Sequence, residues 1–270
     1  MIGILGQGFV GNAVYQKFKS NFEVYTFDLD ISKSNSTYSK VVENKIIFIC
    51  LPTPMNPDGS CNTSIVECEI EKLDKLGKYT IVVKSTILPG TTKAWNKKYN
   101  SDIIFNPEFL TEKNAVIDFE NQKHIVLGGP KKATEKIKNI FAVVFEKAKI
   151  SCVEETAAEL LKYYLNTFLA VKVSFANEMY QLSEKLGVNY DSLLSMVLKD
   201  ERVGKTHLNV PGHDGDFGYG GHCFPKDTKA LIKLTDDLGV VNHVLKATEA
   251  TNTKVRINKD WEKMKGRAVL

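Results

Sequence analysis

The 270-residue sequence contains no apolar run near the roughly 18 residues that a membrane-spanning helix needs. It has no run of five like charges, and its net charge of +4 is small beside 36 basic and 32 acidic side chains. A nucleic-acid-binding stripe is therefore not indicated, and the charges read as a solvated surface. The five cysteines include no Cys-x-x-Cys pair, and the five histidines are scattered, so no metal-ligand spacing is present. An odd cysteine count without such pairs argues for reduced thiols. Met1-Ile-Gly-Ile-Leu5 carries no basic leader, and a cytoplasmic location is the expectation. There is no internal repeat and no low-complexity linker.

What is present falls into two patterns. The first half alternates short β-branched runs with amphipathic stretches, as repeated βα units on a parallel sheet do. Strands are expected at 1–5, 22–27, 45–50, 79–83, 102–105 and 123–127, with a short last one near 149–152. Helices are expected at 9–19, 63–76, 89–98 and 131–146. From Thr156 apolar residues recur at helical spacing for some thirty positions up to Gly187, a good helix stop. Further helices are expected at 190–198, 224–238 and 241–264, after a glycine-rich loop at 203–222. The expected fold class is α/β: a Rossmann-type doubly wound parallel sheet over 1–153, followed by an all-helical domain over 154–270.

Gly6-Gln7-Gly8-Phe9-Val10-Gly11 lies between the run Ile2–Leu5 and a helical stretch. In that context Gly6 permits the tight turn, Gly8 admits a pyrophosphate to the backbone, and Gly11 lets helix pack on strand. The helix N-terminus then offers N–H groups to phosphates. Asp28 ends the second strand, where a carboxylate bonds ribose hydroxyls and repels a 2′-phosphate, favouring NAD over NADP. The alternative is a glycine turn with an ordinary strand-end aspartate. Thr53, Ser85 and Thr86 follow the third and fourth strands, where ligands sit in an open α/β sheet, although each suits a turn or helix cap as well. Cys50 is most simply core.

Asn106-Pro-Glu108-Phe109-Leu110-Thr-Glu112 follows the fifth strand. If it turns helical after Pro107, the two carboxylates share a face; otherwise they are the acidic first turn of a helix. Lys162 and Asn166 stand at i, i+4 in a helix apolar on nearly every side. They are either paired and lining a cavity, or part of a solvated stripe with Glu155 and Glu159. The segment 209–223 is dense in glycine and proline, suiting close backbone approach to a ligand, with a floppy surface loop as the alternative. A lone cysteine is usually structural, but Cys223 follows a Gly-Gly loop at a helix start with Lys226 nearby, features that favour a thiolate and make it a better nucleophile candidate.

Together these segments resemble the UDP-glucose/GDP-mannose dehydrogenase family. The motifs run in order: the glycine turn, Leu51-Pro-Thr53-Pro54, Lys84-Ser85-Thr86, Asn106 to Glu112, Ala158 to Asn166, Asp200-Glu-Arg202-Val-Gly204, Val210-Pro-Gly212 and Gly218-Tyr219-Gly220-Gly-His-Cys223-Phe-Pro-Lys226-Asp227. The resemblance implies a nucleotide-sugar substrate, NAD as cofactor, and oxidation of a primary alcohol to the carboxylate through a thiohemiacetal and a thioester on Cys223. It makes Glu108 the base for thioester hydrolysis, and Lys162, Asn166 and Asp227 the groups that hold substrate and water. Leu51, Thr53, Pro54, Thr86, Glu112 and Lys226 join the glycine turn as cofactor contacts. Phe109, Leu110, His207, Leu208, Asn209, Tyr219 and Gly220 resemble the substrate-wrapping segments, and Arg202 an arginine that reaches a neighbouring subunit. A homodimer through the helical domain is implied. Family members continue into a second α/β domain that this sequence does not contain. Other readings are a two-electron β-hydroxyacid-type dehydrogenase, which needs no cysteine, and an NAD-binding dimer without turnover.

Overall fold

A computed structural model describes residues 1–270. By packing, the chain divides into one unit of residues 1–53 and 63–162 and another of 54–62 and 163–270. In chain order the first elements are β1 Ile2–Leu5, α1 Phe9–Phe18, β2 Val24–Phe27, α2 Tyr38–Val42, β3 Ile46–Ile49, α3 Ser64–Leu76 and β4 Thr80–Val83. They are followed by α4 Thr91–Lys98, β5 Asp102–Phe105, α5 Ala115–Glu120, β6 His124–Gly128, α6 Lys131–Val144 and β7 Lys149–Val153. Helix α7, Glu155–Leu186, starts in the first unit and continues into the second, which adds α8 Tyr190–Val197, α9 Phe224–Asp237 and α10 His243–Val255.

The first unit is a seven-stranded sheet in the order β2-β1-β3-β4-β5-β6-β7. The order reverses between β1 and β3, which makes their carboxyl ends the topological switch point where such sheets bind ligands. Successive strand residues serve opposite faces. Ile4, Phe48, Val82 and Ile104 join one core cluster around Phe18, Phe119 and Phe141. Their neighbours Leu5, Ile49, Val83 and Phe105 join another with Val66, Ile70 and Trp95. Both faces are covered, so the strands read as continuous apolar runs.

The parallel sheet holds from β2 to β5, but β6 meets β5 antiparallel, through Phe105 and Gly128, and pairs β7 in parallel. Apolar run length is the same for either direction, so this turn-back leaves no mark in the sequence. The first turns of α7 belong to this unit: Ala158 and Leu161 pack in its core. Glu159, wholly buried, accepts from the N–H groups of Gly90 (2.6 Å) and Thr92 (2.7 Å) at the start of α4.

The second unit has a small apolar core of Ala176, Tyr190, Leu194, Leu208 and Val210. Helix α10 stops at Val255, nine residues short of the expected 264, because Arg256 turns to an extended backbone (φ −85°, ψ 108°). Helix α7 also differs from the buried rod that its composition suggests. Tyr164, Phe168, Phe175, Leu182 and Leu186 are 50–68% exposed, and at 100° per residue they lie along one stripe. No helix is long and apolar enough to cross a membrane.

Candidate active site

The glycine turn is built as its residue types require. Gly6 has φ +90°, and a Cβ on Gly11 would sit 1.9 Å from the Gly6 carbonyl oxygen. Helix α1 therefore presses on the turn in a way only glycine allows. Gly8 is the N-cap of α1 and makes no side-chain cap bond. A Cβ placed on it meets nothing within 4 Å, so the space before the helix N-terminus is open. Phe9 and Val10 begin the helix and are half-buried. The Gln7 N–H donates to Asp28 Oδ2 (2.6 Å), while Asp28 Oδ1 accepts from the Asp30 N–H (2.9 Å). An open N-terminus beside a carboxylate at the end of β2 fits a dinucleotide with an unphosphorylated ribose.

Beyond β3 and β4, Ser85 Oγ donates to the Leu51 carbonyl (2.6 Å), Thr53 and Ser85 are buried, and Thr86 is half-buried. Ser85 thereby ties the two strand ends together. A cleft of about 260 Å³ is lined by Phe9, Asn12, Glu112 and residues 113–117. Cys50 is an inert neighbour, its thiol pushed up to about 12 by burial.

Residues 106–111 do not turn helical; Thr111 is extended, and only a 3-10 turn, Glu112–Asn114, follows. Glu108 and Glu112 therefore share no helix face. Pro107 and the pairings of Asn106 hold the segment open: Asn106 donates to the Val126 carbonyl (2.8 Å) and accepts from Lys84 Nζ (2.7 Å). Glu108 is buried with Oε2 2.7 Å from that same ammonium. Lys162 donates to the Glu108 carbonyl and lies 5.1 Å from the Phe109 ring centre. Glu112 and Phe109 are exposed, and Leu110 is half-buried. Within the first unit Glu108 and Lys162 come together. A solvated stripe on α7 is ruled out here, since Lys162 is 6% and Glu159 0% exposed.

In the second unit Cys223 is the N-cap of α9 with Pro225 in the first turn, half-buried, its Sγ 3.3 Å from His222 Nε2. One turn on, Asp227 accepts from Asn166 Nδ2 (2.6 Å) and from Lys226 Nζ (2.7 Å), all three buried. Burial would push the Lys226 ammonium down, but Asp227 and the thiols of Cys61 and Cys223 outweigh it and hold it above its ordinary value. Asn166, Lys226, Asp227 and Cys223 are thus neighbours within the second unit. Pro54 also falls in this second unit and is buried.

The loop residues divide. Tyr219 is buried and donates to Glu249 (3.0 Å); Leu208 is buried in the small core; Asn209 is exposed. His207 takes a left-handed backbone (φ 65°) with its ring 5.6 Å from that of Phe224. Burial, with Lys172 and His213 adding, pushes its imidazole below the usual range. The Arg202 side chain is 89% exposed and folds back on Asp200 (Nε to Oδ1, 2.9 Å).

Residues 30–149 match the NAD binding domain of the UDP-glucose/GDP-mannose dehydrogenase family, and residues 156–254 match its central domain. The chain belongs to this family. Its relatives include the UDP-glucose 6-dehydrogenase of Rickettsia prowazekii, 34% identical over 251 residues, covering 88% of this chain and 56% of that protein. The UDP-glucose 6-dehydrogenase TuaD of Bacillus subtilis is 30% identical over 246 residues, covering 87% of this chain and 52% of that protein. The chain therefore spans about half the length of these curated relatives. The solved UDP-glucose dehydrogenase of Pyrobaculum islandicum superposes with a TM-score of 0.84 at 29% identity, over 94% of this chain and 68% of its own. The family match and the open glycine turn agree on NAD as the cofactor.

Sequence reasoning missed several side chains that hold this family's motifs in place. Lys84 and Asn106 were visible only as motif letters, because a buried Lys–Asn–Glu cluster needs the ends of β4 and β5 brought together. Asn177 and Asn252 lie on helices and Arg256 just past the end of α10, with no motif around them, and nothing in their spacing marks them.

Proposed function

We propose that this chain carries out NAD-dependent oxidation of a nucleotide-sugar primary alcohol to the carboxylate, with UDP-glucose to UDP-glucuronate as the first substrate to test. The observation that carries this reading is Cys223 at the start of α9, one turn from the buried Asn166–Asp227–Lys226 chain. A simple alcohol dehydrogenase has no use for a thiol so placed, whereas an aldehyde-to-acid stage needs a covalent nucleophile.

NAD, when bound, supplies the two-electron acceptor for each oxidation. The N–H groups of α1 hold its phosphates and Asp28 its ribose, with Ser85 and Thr86 at the neighbouring strand ends. Cys223 Sγ adds to the aldehyde carbon as a thiohemiacetal, the second two-electron oxidation converts this to a thioester, and water opens the thioester to release the acid and restore the thiol. The Lys226 ammonium favours the thiolate form of its neighbour by charge. Asp227 fixes the Asn166 amide, a donor suited to an oxyanion or to the attacking water. Lys162 and Glu108, on the first unit, keep the roles that the family resemblance implies for them, a donor and a base.

The exposed stripe of α7 supports a homodimer: three aromatic and two leucine side chains at helical spacing are what an isologous helix interface uses. The same reading places the chain in the cytoplasm, where thiols such as the exposed Cys68 stay reduced.

The test is stoichiometry. The protein is mixed with NAD and a panel of UDP- and GDP-sugars, and NADH formed per sugar consumed is counted. Two NADH per sugar is the expected result. One would replace this reading by a two-electron dehydrogenase, and none, with NAD binding intact, by an inert NAD-binding chain.

A further inference from the structure

The segment before Cys223 carries glycines at 218, 220 and 221, yet its backbone is gripped almost residue by residue. The Gly218 N–H donates to Asn177 Oδ1 on α7 (3.1 Å). Both backbone groups of Tyr219 are taken by Asn252 on α10: the N–H by Oδ1 (2.7 Å) and the carbonyl by Nδ2 (3.0 Å). The Gly221 N–H donates to Asp260 Oδ2 (2.9 Å). The last grip is two residues from the thiol.

Arg256 is the hub of this arrangement. It is 2% exposed, and its guanidinium donates to Asp214 Oδ2 (2.7 Å), to the Asn258 carbonyl (2.7 Å) and to Asp260 Oδ1 (3.2 Å), with Asp216 at 3.5 Å. One cation thus holds three carboxylates that would otherwise repel one another. Two of them sit in the turn before Gly218, and the third is the acceptor for Gly221. The packing is tight enough to dictate residue type. A Cβ on Gly220 would lie 2.2 Å from Arg256 Nη2, and one on Gly218 would lie 2.3 Å from Asn252 Oδ1.

We propose that Arg256, acting through Asp260, is a positioning residue that fixes the Gly218–Gly221 backbone and with it the approach of Cys223. This rests on Cys223 being the nucleophile of the function proposed above. It also explains why α10 ends at Val255: Arg256 leaves the helix so that its side chain can reach both ends of the loop.

Four variants test it: Arg256→Lys, Asp260→Ala, Gly220→Ala and, as the conservative control, Asp260→Asn, which keeps an oxygen for the Gly221 N–H. Amide exchange over 214–224, alkylation of Cys223 mapped by mass, and steady-state kinetics are measured on each. In the first three variants exchange and Cys223 alkylation speed up together by roughly 10-fold, as a released loop exposes its groups. Buried Cys61 stays protected, reporting an intact fold. The kcat falls by roughly 10-fold or more while the KM for NAD holds, because displacing a reacting group costs rate rather than cofactor affinity. Asp260→Asn stays near wild type in all three. Faster exchange with unchanged kcat, or lower kcat with unchanged exchange and alkylation, overturns the proposal. Exchange and alkylation need no turnover. If they respond as stated but wild type oxidises no sugar, the dehydrogenase reading fails and the loop clamp stands.

Discussion

The two units are held together by different kinds of interaction. The sheet unit has two apolar clusters, and a single side chain, Phe18, contacts the rings of Phe22, Phe48, Phe119, Phe141 and Phe145. The helical unit has a core cluster of five buried residues, and much of its interior is polar: Asn166, Asn177, Lys226, Asp227, Asn252 and Arg256 are all buried. Apolar contact is non-directional and tolerates many sequences. A polar interior is specific and fails when one partner is lost. The unit that places the reactive thiol is built the second way.

This contrast can be broken from either side. The largest effect expected is on chemistry: Cys223→Ala abolishes formation of the acid while leaving the melting midpoint near wild type, read by product analysis and calorimetry. Wild-type acid yield from that variant sinks the thioester scheme. Phe18→Ala empties the sheet core and costs about 3–5 kcal/mol in chemical denaturation. Gly11→Ala forces a Cβ onto the Gly6 carbonyl and weakens NAD binding by roughly 10-fold or more, read by calorimetric titration, since the α1 N-terminus must shift. Asn252→Ala orphans the N–H and carbonyl of Tyr219 and costs about 1–3 kcal/mol, a polar loss approaching an apolar one.

The smallest effect concerns Glu159. Burial raises its pKa, against the bonds from Thr92 and Gly90 that favour the charged form. With the folded value above the unfolded one, the folded chain binds the extra proton. Stability at this residue is therefore fully present below the ordinary glutamate range and declines as pH rises through the raised value. Glu159→Gln should flatten that decline in melting midpoint over the window just above the ordinary range. An unchanged slope would show that Glu159 does not supply it.

Much of the first unit was legible because strands covered on both faces announce themselves as apolar runs, and because glycine at positions 6 and 11 answers a steric need of the turn itself. The motif cysteine, the helix it caps and the i, i+4 pair on α7 were legible for the same local reason. The exposed stripe on α7 was not: tyrosine and phenylalanine look the same in sequence whether they face a core or water. Nor was the 106–112 segment, where two glutamates at helical spacing lie outside any α-helix.

By itself, then, the sequence determined the βα alternation, the dinucleotide turn and the family motifs that surround Cys223, since each is written in residues close along the chain. Only the tertiary structure decided the reversal between β5 and β6, the pairing of Lys84 with Glu108, and the grip of Asn177, Asn252 and Arg256 on the glycine loop. Those depend on groups 22 to 42 residues apart being brought within hydrogen-bond reach, and no local pattern records which distant partner a buried polar side chain will find.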